Sequence, residues 1–240
     1  MPPKQYRQHR FSPPPGATEF ILVRHGESAA AVDGERFDLV DGQGDPPLAP
    51  DGLEQAQRVA DRLGAMAVDA IYVTTLRRTA QTAAPLAARL GITPTVEADL
   101  REVHLGEWEG GEFRRRVANA DPLAVQLLVE ERWDVIPGAE SATAFSTRVV
   151  GAVTRLAQAH PGQRLVVFSH GGTIGEVLRQ AVGAERGFAF TGSDNGAISQ
   201  LVIHGDRWIL RGFNDTSHLG PDGSGAPEDP ETGPGISFSA

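Results

Sequence analysis

The chain has 240 residues, of which 40% are hydrophobic and 22% charged, with a formal net charge of −9 and no cysteine. That composition is ordinary for a globular protein, and the missing cysteines exclude disulfides, cysteine–zinc sites and thiol catalysis. No apolar run approaches the roughly 18 residues that span a bilayer, and an acidic chain is a poor partner for a nucleic-acid backbone, so neither membrane nor nucleic acid is expected as a partner.

Residues 1–17 begin the chain with a Pro-rich basic stretch, five prolines and three cations lying in the first 15 positions without an acid. The stretch has no apolar core of an export signal, which favours a cytoplasmic location, and it reads as a flexible N-terminal segment. Phe20-Ile21-Leu22-Val23 is a continuous apolar run that stops at Arg24, as a strand buried on both faces would. After Gly52, Leu53, Ala56, Val59, Ala60 and Leu63 recur at helical spacing. Asp69 to Val73 predicts a second buried strand, followed by a helix over about 79–90 that Pro85 kinks or ends early.

The stretch 107–140 reads as a helical insertion, apolar at Val117, Leu123, Leu127, Trp133 and Ile136, with a basic cluster at Arg114, Arg115 and Arg116. A solvated helix face is the plain reading of that cluster; a lid that greets an anionic substrate is the sharper one. The apolar residues suit a pocket wall or a subunit contact, which leaves a homo-oligomer open. Ser141 caps a helix through about Ala159, with Phe145, Val149, Val153 and Leu156 on one face. Leu165 to Phe168 predicts a third buried strand, and Ile174, Val177, Leu178, Ala181 and Val182 give an amphipathic helix. Ile198–Ile203 and Trp208–Phe213 predict two late strands joined through His204 to Arg207. Residues 220–240 hold five glycines, four prolines and four acids without a cation, and read as a flexible tail.

Buried strands alternating with helices imply a three-layer α/β/α sandwich over 18–219, with a mostly parallel central sheet of about six strands and the insertion lying over the active site. In such sheets ligands sit outside the carboxyl ends of the strands. Three strand ends carry polar residues: Arg24-His25-Gly26, Thr74 to Arg78, and Ser169-His170-Gly171-Gly172. All three are expected to open onto one crevice. Glycine amides, a helix N-terminus after His170 and two guanidiniums make an anion site, and the fork of arginine suits phosphate. Two imidazoles also raise a metal, but arginines beside a cation repel it, so phosphate is favoured, with no metal and no cofactor.

Read together, these segments carry a resemblance. Leu22-Val23-Arg24-His25-Gly26-Glu27-Ser28 resembles the RHG signature of the histidine phosphatase superfamily, in its phosphoglycerate-mutase-like branch. Pro47 to Gly52 with Gln55-Ala56, Thr74 to Thr79 with Gln81-Thr82-Ala83, Leu100-Arg101-Glu102 to Gly110, Phe168 to Gly172 and Asn214 to Leu219 resemble its further motifs in order. The resemblance implies His25 as nucleophile, forming a phosphohistidine, with its second nitrogen donating to a backbone carbonyl. It implies Arg24, Arg78 and His170 as holders of the phosphoryl oxygens, and Glu102 as general acid and then base, more fully protonated beside a phosphate dianion. Gly26, Ser28 and Gly171 join the substrate-binding set. Arg78 falls at the family's arginine position, and Arg77 reads as a surface cation. The family often has asparagine where this chain has Ala31, so that contact is missing or comes from elsewhere.

The function this implies is a metal-independent phosphatase acting on small phosphomonoesters. Phosphoglycerate mutase activity and a non-catalytic phosphate-binding or scaffolding module are the alternatives. The resemblance gives mutases a longer insertion between the positions of Glu102 and His170, which favours hydrolysis.

Overall fold

Along β1 (Thr18–Arg24) the side chains sort by parity. Phe20 and Leu22 enter one apolar cluster, Ile21 and Val23 another on the opposite face, and all four are buried. A strand that feeds two cores must lie mid-sheet, and it does. The structure, a computed structural model, describes residues 3–220. The elements that follow are a small hairpin of β2 (Leu39–Val40) and β3 (Gln43–Gly44), α1 (Pro50–Leu63), β4 (Ala70–Val73), α2 (Arg77–Leu90) and β5 (Thr95–Val96). Then come α3 (Glu112–Ala118), α4 (Pro122–Glu130), α5 (Ala142–Ala159), β6 (Arg164–Ser169), α6 (Gly171–Val182), β7 (Ile198–His204) and β8 (Arg207–Asp215).

The six-stranded sheet runs β5-β4-β6-β1-β7-β8. Its first four strands are parallel; β7 is antiparallel to β1, and β8 to β7. Helices α5 and α6 pack on the face of Phe20 and Leu22, and α1 and α2 on the face of Ile21 and Val23, which makes the expected three-layer sandwich. The register pairs Arg24 with Ser169 and Tyr72 with Val167, so β1, β4 and β6 end at one edge. The insertion has a small core of its own, Trp108, Ala124, Leu127 and Ile136. No helix among the described residues is long and apolar enough to cross a membrane.

Three local expectations differ from the structure. Pro85 does not end α2 early, because the helix continues to Leu90. Its ring lies on a partly exposed side while Ala83 and Leu86 stay fully buried, so packing of that face offsets the lost backbone bond. The helix also starts two residues earlier than expected, at Arg77. The late hairpin is tighter than expected, with only Gly205-Asp206 between the strands. Residues 3–17 form no helix or strand; Phe11 lies beneath the Arg211 guanidinium, 3.9 Å from its ring centroid. Of the C-terminal stretch 220–240, all but Gly220 lies outside the described residues.

Candidate active site

The loop after β1 is held by residues from two other motifs. Gly26 N–H donates to Thr82 Oγ1 at 3.0 Å, and Glu27 N–H to Gln55 Oε1 at 2.8 Å. Ala49 N–H donates to the Glu27 carbonyl at 2.9 Å, and Leu48 N–H to Gln81 Oε1 at 2.9 Å. Gly26 and Gly52 let these backbones touch: a Cβ on Gly26 would lie 2.4 Å from the Gly52 oxygen, and one on Gly52 would lie 2.0 Å from the Glu27 oxygen. The spacing of glycine, glutamine and threonine thus serves one purpose, a fixed perch for His25.

His25 is buried, and its Nδ1 meets the Gly26 carbonyl at 2.7 Å. A carbonyl only accepts, so Nδ1 carries the hydrogen and Nε2 keeps its lone pair. Burial holds the imidazole well below the usual histidine range, with Arg78 and Arg24 adding to it. His170 stands edge to face with His25, ring centroids 5.2 Å apart, and is fully buried. Its pKa is also well below the ordinary value, first through burial and then through Arg78 and His25. His170 Nε2 bonds Thr74 Oγ1 at 3.0 Å, while Nδ1 is buried without a protein partner.

The two arginines close the other side. Arg24 donates through Nη1 to the Ser193 carbonyl, and its Nε is buried without a protein partner. Arg78 donates to the Gly44 carbonyl at 3.0 Å, and burial draws it down to about 10 against the opposing pull of Glu102 and Asp45. Gly171 stands beside Arg24: a Cβ there would lie 3.5 Å from its Nε. Arg77 pairs with Asp45 at 2.9 Å, as a cation outside the anion site would.

Glu102 lies across the first turn of α6. It accepts from Gly172 N–H at 3.0 Å, Thr173 N–H at 3.1 Å and Val103 N–H at 3.0 Å. Its own carbonyl accepts from Arg148 Nη2 at 2.8 Å and Gln43 Nε2 at 2.8 Å. Arg148 in turn grips Glu140 with Nε and Nη2, both at 2.8 Å. Glu140 is thus a brace for the Glu102 segment, while the neighbouring Ser141 caps α5 by accepting from Ala144 N–H. The acidic rival Glu109 is buried, its oxygens taken by Gly44 N–H and Leu105 N–H, and Trp108 packs in the insertion core.

Two chambers meet at Arg24 and His25. One, of about 300 Å³, is lined by Arg78, Glu102, Gln43 and the rings of Phe37, Trp108, Phe113 and Trp133. The other, of about 600 Å³, is lined by Ser28, Ala31, Arg114 and Asn195 among others. The structure therefore brings Arg24, His25, Arg78, Glu102, His170 and Gly171 to one place, with Ser28 buried next to it. Sequence reasoning missed Gln43 and Asn195. Gln43 is 3% exposed; its nitrogen serves the Glu102 and Val103 carbonyls, which leaves Oε1 buried and unpartnered. Asn195 Nδ2 donates to the His25 carbonyl at 2.9 Å. Both lie in short non-periodic segments whose letters carry no signal beyond turn composition.

Comparison with known proteins gives the chain a family. The profile of the histidine phosphatase superfamily, branch 1, matches residues 20–216. Phosphoglycerate mutase-like protein 4 of Arabidopsis thaliana is 32% identical over 205 residues, covering 84% of this chain and 86% of that protein. The metal-independent phosphoserine phosphatase of the same plant is 30% identical, covering 84% and 83%. Among structures, mycobacterial glucosyl-3-phosphoglycerate phosphatase superposes with a TM-score of 0.69 at 28% identity, covering 82% of this chain and 99% of that one. The chain belongs to branch 1 of the histidine phosphatase superfamily.

Proposed function

We propose that this protein is a metal-independent phosphatase that hydrolyses small phosphomonoesters through a phosphohistidine on His25. One observation carries the reading. Two buried nitrogens, Arg24 Nε and His170 Nδ1, have no protein partner and flank an imidazole whose Nδ1 is already spent on Gly26. Arg24 Nε is a donor, and His170 Nδ1 is one in the tautomer whose Nε2 accepts from Thr74 Oγ1. Buried groups of this kind are costly unless a ligand pairs with them, and a phosphoryl group offers three oxygens.

His25 Nε2 attacks phosphorus in line, the P–O bond to the alcohol breaks, and Glu102 gives the leaving oxygen its proton. Arg24, Arg78 and His170 offset the charge on the three non-bridging oxygens. Glu102, now a carboxylate, takes a proton from water, whose oxygen attacks phosphorus. The P–N bond breaks, its electrons return to Nε2, and inorganic phosphate leaves. In the structure both Glu102 oxygens accept amide hydrogens, the arrangement suited to that second step. The chambers on either side of His25 give water a path to the intermediate, which supports hydrolysis over mutase chemistry.

The test is phosphate release from p-nitrophenyl phosphate and 3-phosphoglycerate with a chelator present, beside His25→Ala. The expected result is chelator-resistant hydrolysis that His25→Ala lowers about a thousandfold or more. An unimpaired His25→Ala overturns the mechanism, and interconversion of phosphoglycerates without phosphate release selects the mutase.

A further inference from the structure

The closing segment, Asn214 to Leu219, resembles a motif of the family, yet none of its residues lines either chamber. Its contacts run instead to the loop 193–197 that precedes β7. Asn214 Oδ1 accepts from Asp194 N–H at 2.7 Å, and Asn214 Nδ2 donates to Asp194 Oδ2 at 2.7 Å. The amide has one such orientation, because its reverse sets donor against donor and acceptor against acceptor. Four residues on, His218 Nε2 donates to the Gly196 carbonyl at 3.1 Å. Leu219 is fully buried against the same glycine, where a Cβ would lie 3.4 Å from the leucine side chain. The loop is therefore pinned twice, at Asp194 by Asn214 and at Gly196 by His218 and Leu219.

The same loop holds the end of β1. The Ser193 carbonyl accepts from Arg24 Nη1, Gly196 N–H donates to the Arg24 carbonyl at 3.1 Å, Arg24 N–H donates to the Ala197 carbonyl at 3.1 Å, and Asn195 Nδ2 donates to the His25 carbonyl at 2.9 Å. Of these four bonds the first alone reaches a site side chain, and Ser193 adjoins Asp194. That bond fixes the guanidinium whose Nε is buried and unpartnered. Asn214 itself has a φ of +55°, a left-handed conformation that asparagine and aspartate tolerate. Its N–H donates to Ser199 Oγ at 3.2 Å, which ties the turn to β7.

We propose that Asn214 is a positioning residue for phosphoryl binding: through Asp194 it holds the Ser193 carbonyl where that carbonyl fixes the Arg24 guanidinium. The inference rests on the phosphatase reading for the role of Arg24, and it gives the closing segment a task remote from the substrate. Two bonds at an exposed residue matter here because a misplacement of about 1 Å in such a group can cost on the order of 100-fold in rate.

An exchange of the pair tests it. Asn214→Asp keeps an acceptor for the Asp194 N–H but sets carboxylate against carboxylate. Asp194→Asn leaves an oxygen that still accepts from Asn214, and the double variant restores both bonds with the partners reversed. Asn214→Asp is expected to weaken inorganic phosphate binding, read by calorimetry, and to lower kcat/KM for p-nitrophenyl phosphate, each about 10- to 100-fold. Asp194→Asn loses less than about threefold, and the double variant returns to within about threefold of the parent. Gly91→Ala, at the end of α2 remote from Arg78, reports destabilisation alone: its thermal midpoint falls and its phosphate binding holds. Should Asn214→Asp fail to fold, Asp194→Ala removes one of the two bonds at an exposed position and is expected to weaken phosphate binding about 3- to 10-fold. Unchanged phosphate binding in the single variant that folds, or a double variant as poor as Asn214→Asp, overturns the proposal. A parent that binds phosphate but hydrolyses no p-nitrophenyl phosphate overturns the phosphatase reading, while the binding series still decides the role of Asn214.

Discussion

The imidazoles of His25 and His170 meet edge to face, 5.2 Å between centroids, inside the field of Arg24 and Arg78. Burial is the larger force on each, and both stay neutral well below the usual histidine range. The unfolded chain binds protons at these residues near pH 6.5, the folded chain only further down. Between those limits the unfolded state holds more protons, so stability falls as pH drops below about 6.5. Each histidine contributes up to about 1.4 kcal/mol per pH unit in that window. His218, half-buried and also lowered by burial, adds in the same direction. Urea midpoints are expected to decline steadily from pH 7.5 to 5, and inorganic phosphate to restore part of the loss. A flat profile contradicts this account. The nucleophile proposed above follows the same sign, because a neutral His25 would keep attack available on the acid side of neutral.

The contact of Gly26 with Gly52 makes a second prediction. A methyl on Gly52 would sit 2.0 Å from the Glu27 oxygen and 2.9 Å from its nitrogen, both backbone atoms that cannot rotate away. Gly52→Ala therefore pushes the His25 loop off α1. The expected cost is about 1–3 kcal/mol of stability with a larger fractional loss of activity. Gly91→Ala is the control: nothing lies within 4 Å of its Cβ position, and only its φ of +66° opposes the change. Thermal unfolding and phosphatase rates of the two variants separate crowding at the site from general strain.

Which parts of this were legible in the sequence follows from what each residue contacts. Val23-Arg24-His25 and Phe168-Ser169-His170 read plainly because an apolar run that stops abruptly at a charged or polar residue marks a buried strand end. The sheet order then brought those ends together. The β2–β3 hairpin did not read, since two-residue strands have no period, and Gln43 was hidden with it. The α2 helix persisted through Pro85 because the buried face, not the proline, sets its length. Arg114, Arg115 and Arg116 are the same letter three times. Only the folded positions of Glu112 and Asp121 leave the first of them without an acid. The role assigned to Glu102 among its acidic neighbours came from the family register, and the structure separates them physically by tying Glu109 to Gly44 and Leu105.

A third prediction concerns Glu102 and the groups that hold it. A general acid matters in proportion to how badly the leaving group needs a proton. Glu102→Gln is expected to slow hydrolysis of ethyl phosphate about 100- to 1000-fold and of p-nitrophenyl phosphate much less, because nitrophenolate leaves unaided. Arg148 is a positioning residue for the same group, reaching the carbonyls of Asp99, Arg101 and Glu102. Arg148→Met should show the same leaving-group pattern in milder form. Uniform losses across both substrates would assign Arg148 to general stability alone.

The last prediction turns on Gln43. Its nitrogen must face the Glu102 and Val103 carbonyls, since those accept and cannot donate. Oε1 is then fixed as a buried acceptor without a protein partner, on the chamber that Glu102 lines. Such an atom is expensive to bury and favours a substrate that brings a hydroxyl or amine to it. The parent is therefore expected to prefer glycerol 3-phosphate over propyl phosphate, which differs by two hydroxyls. Gln43→Leu removes the acceptor and also the two donors that steady the Glu102 backbone. Its kcat falls on both substrates through Glu102, whereas the KM preference for glycerol phosphate collapses through the lost acceptor. Gln43→Glu, which keeps an acceptor but turns repulsive toward the two carbonyls, should lose kcat and keep some of the preference. If Gln43→Leu retains the full KM ratio, Oε1 takes no part in substrate binding and Gln43 serves only as a strut for Glu102.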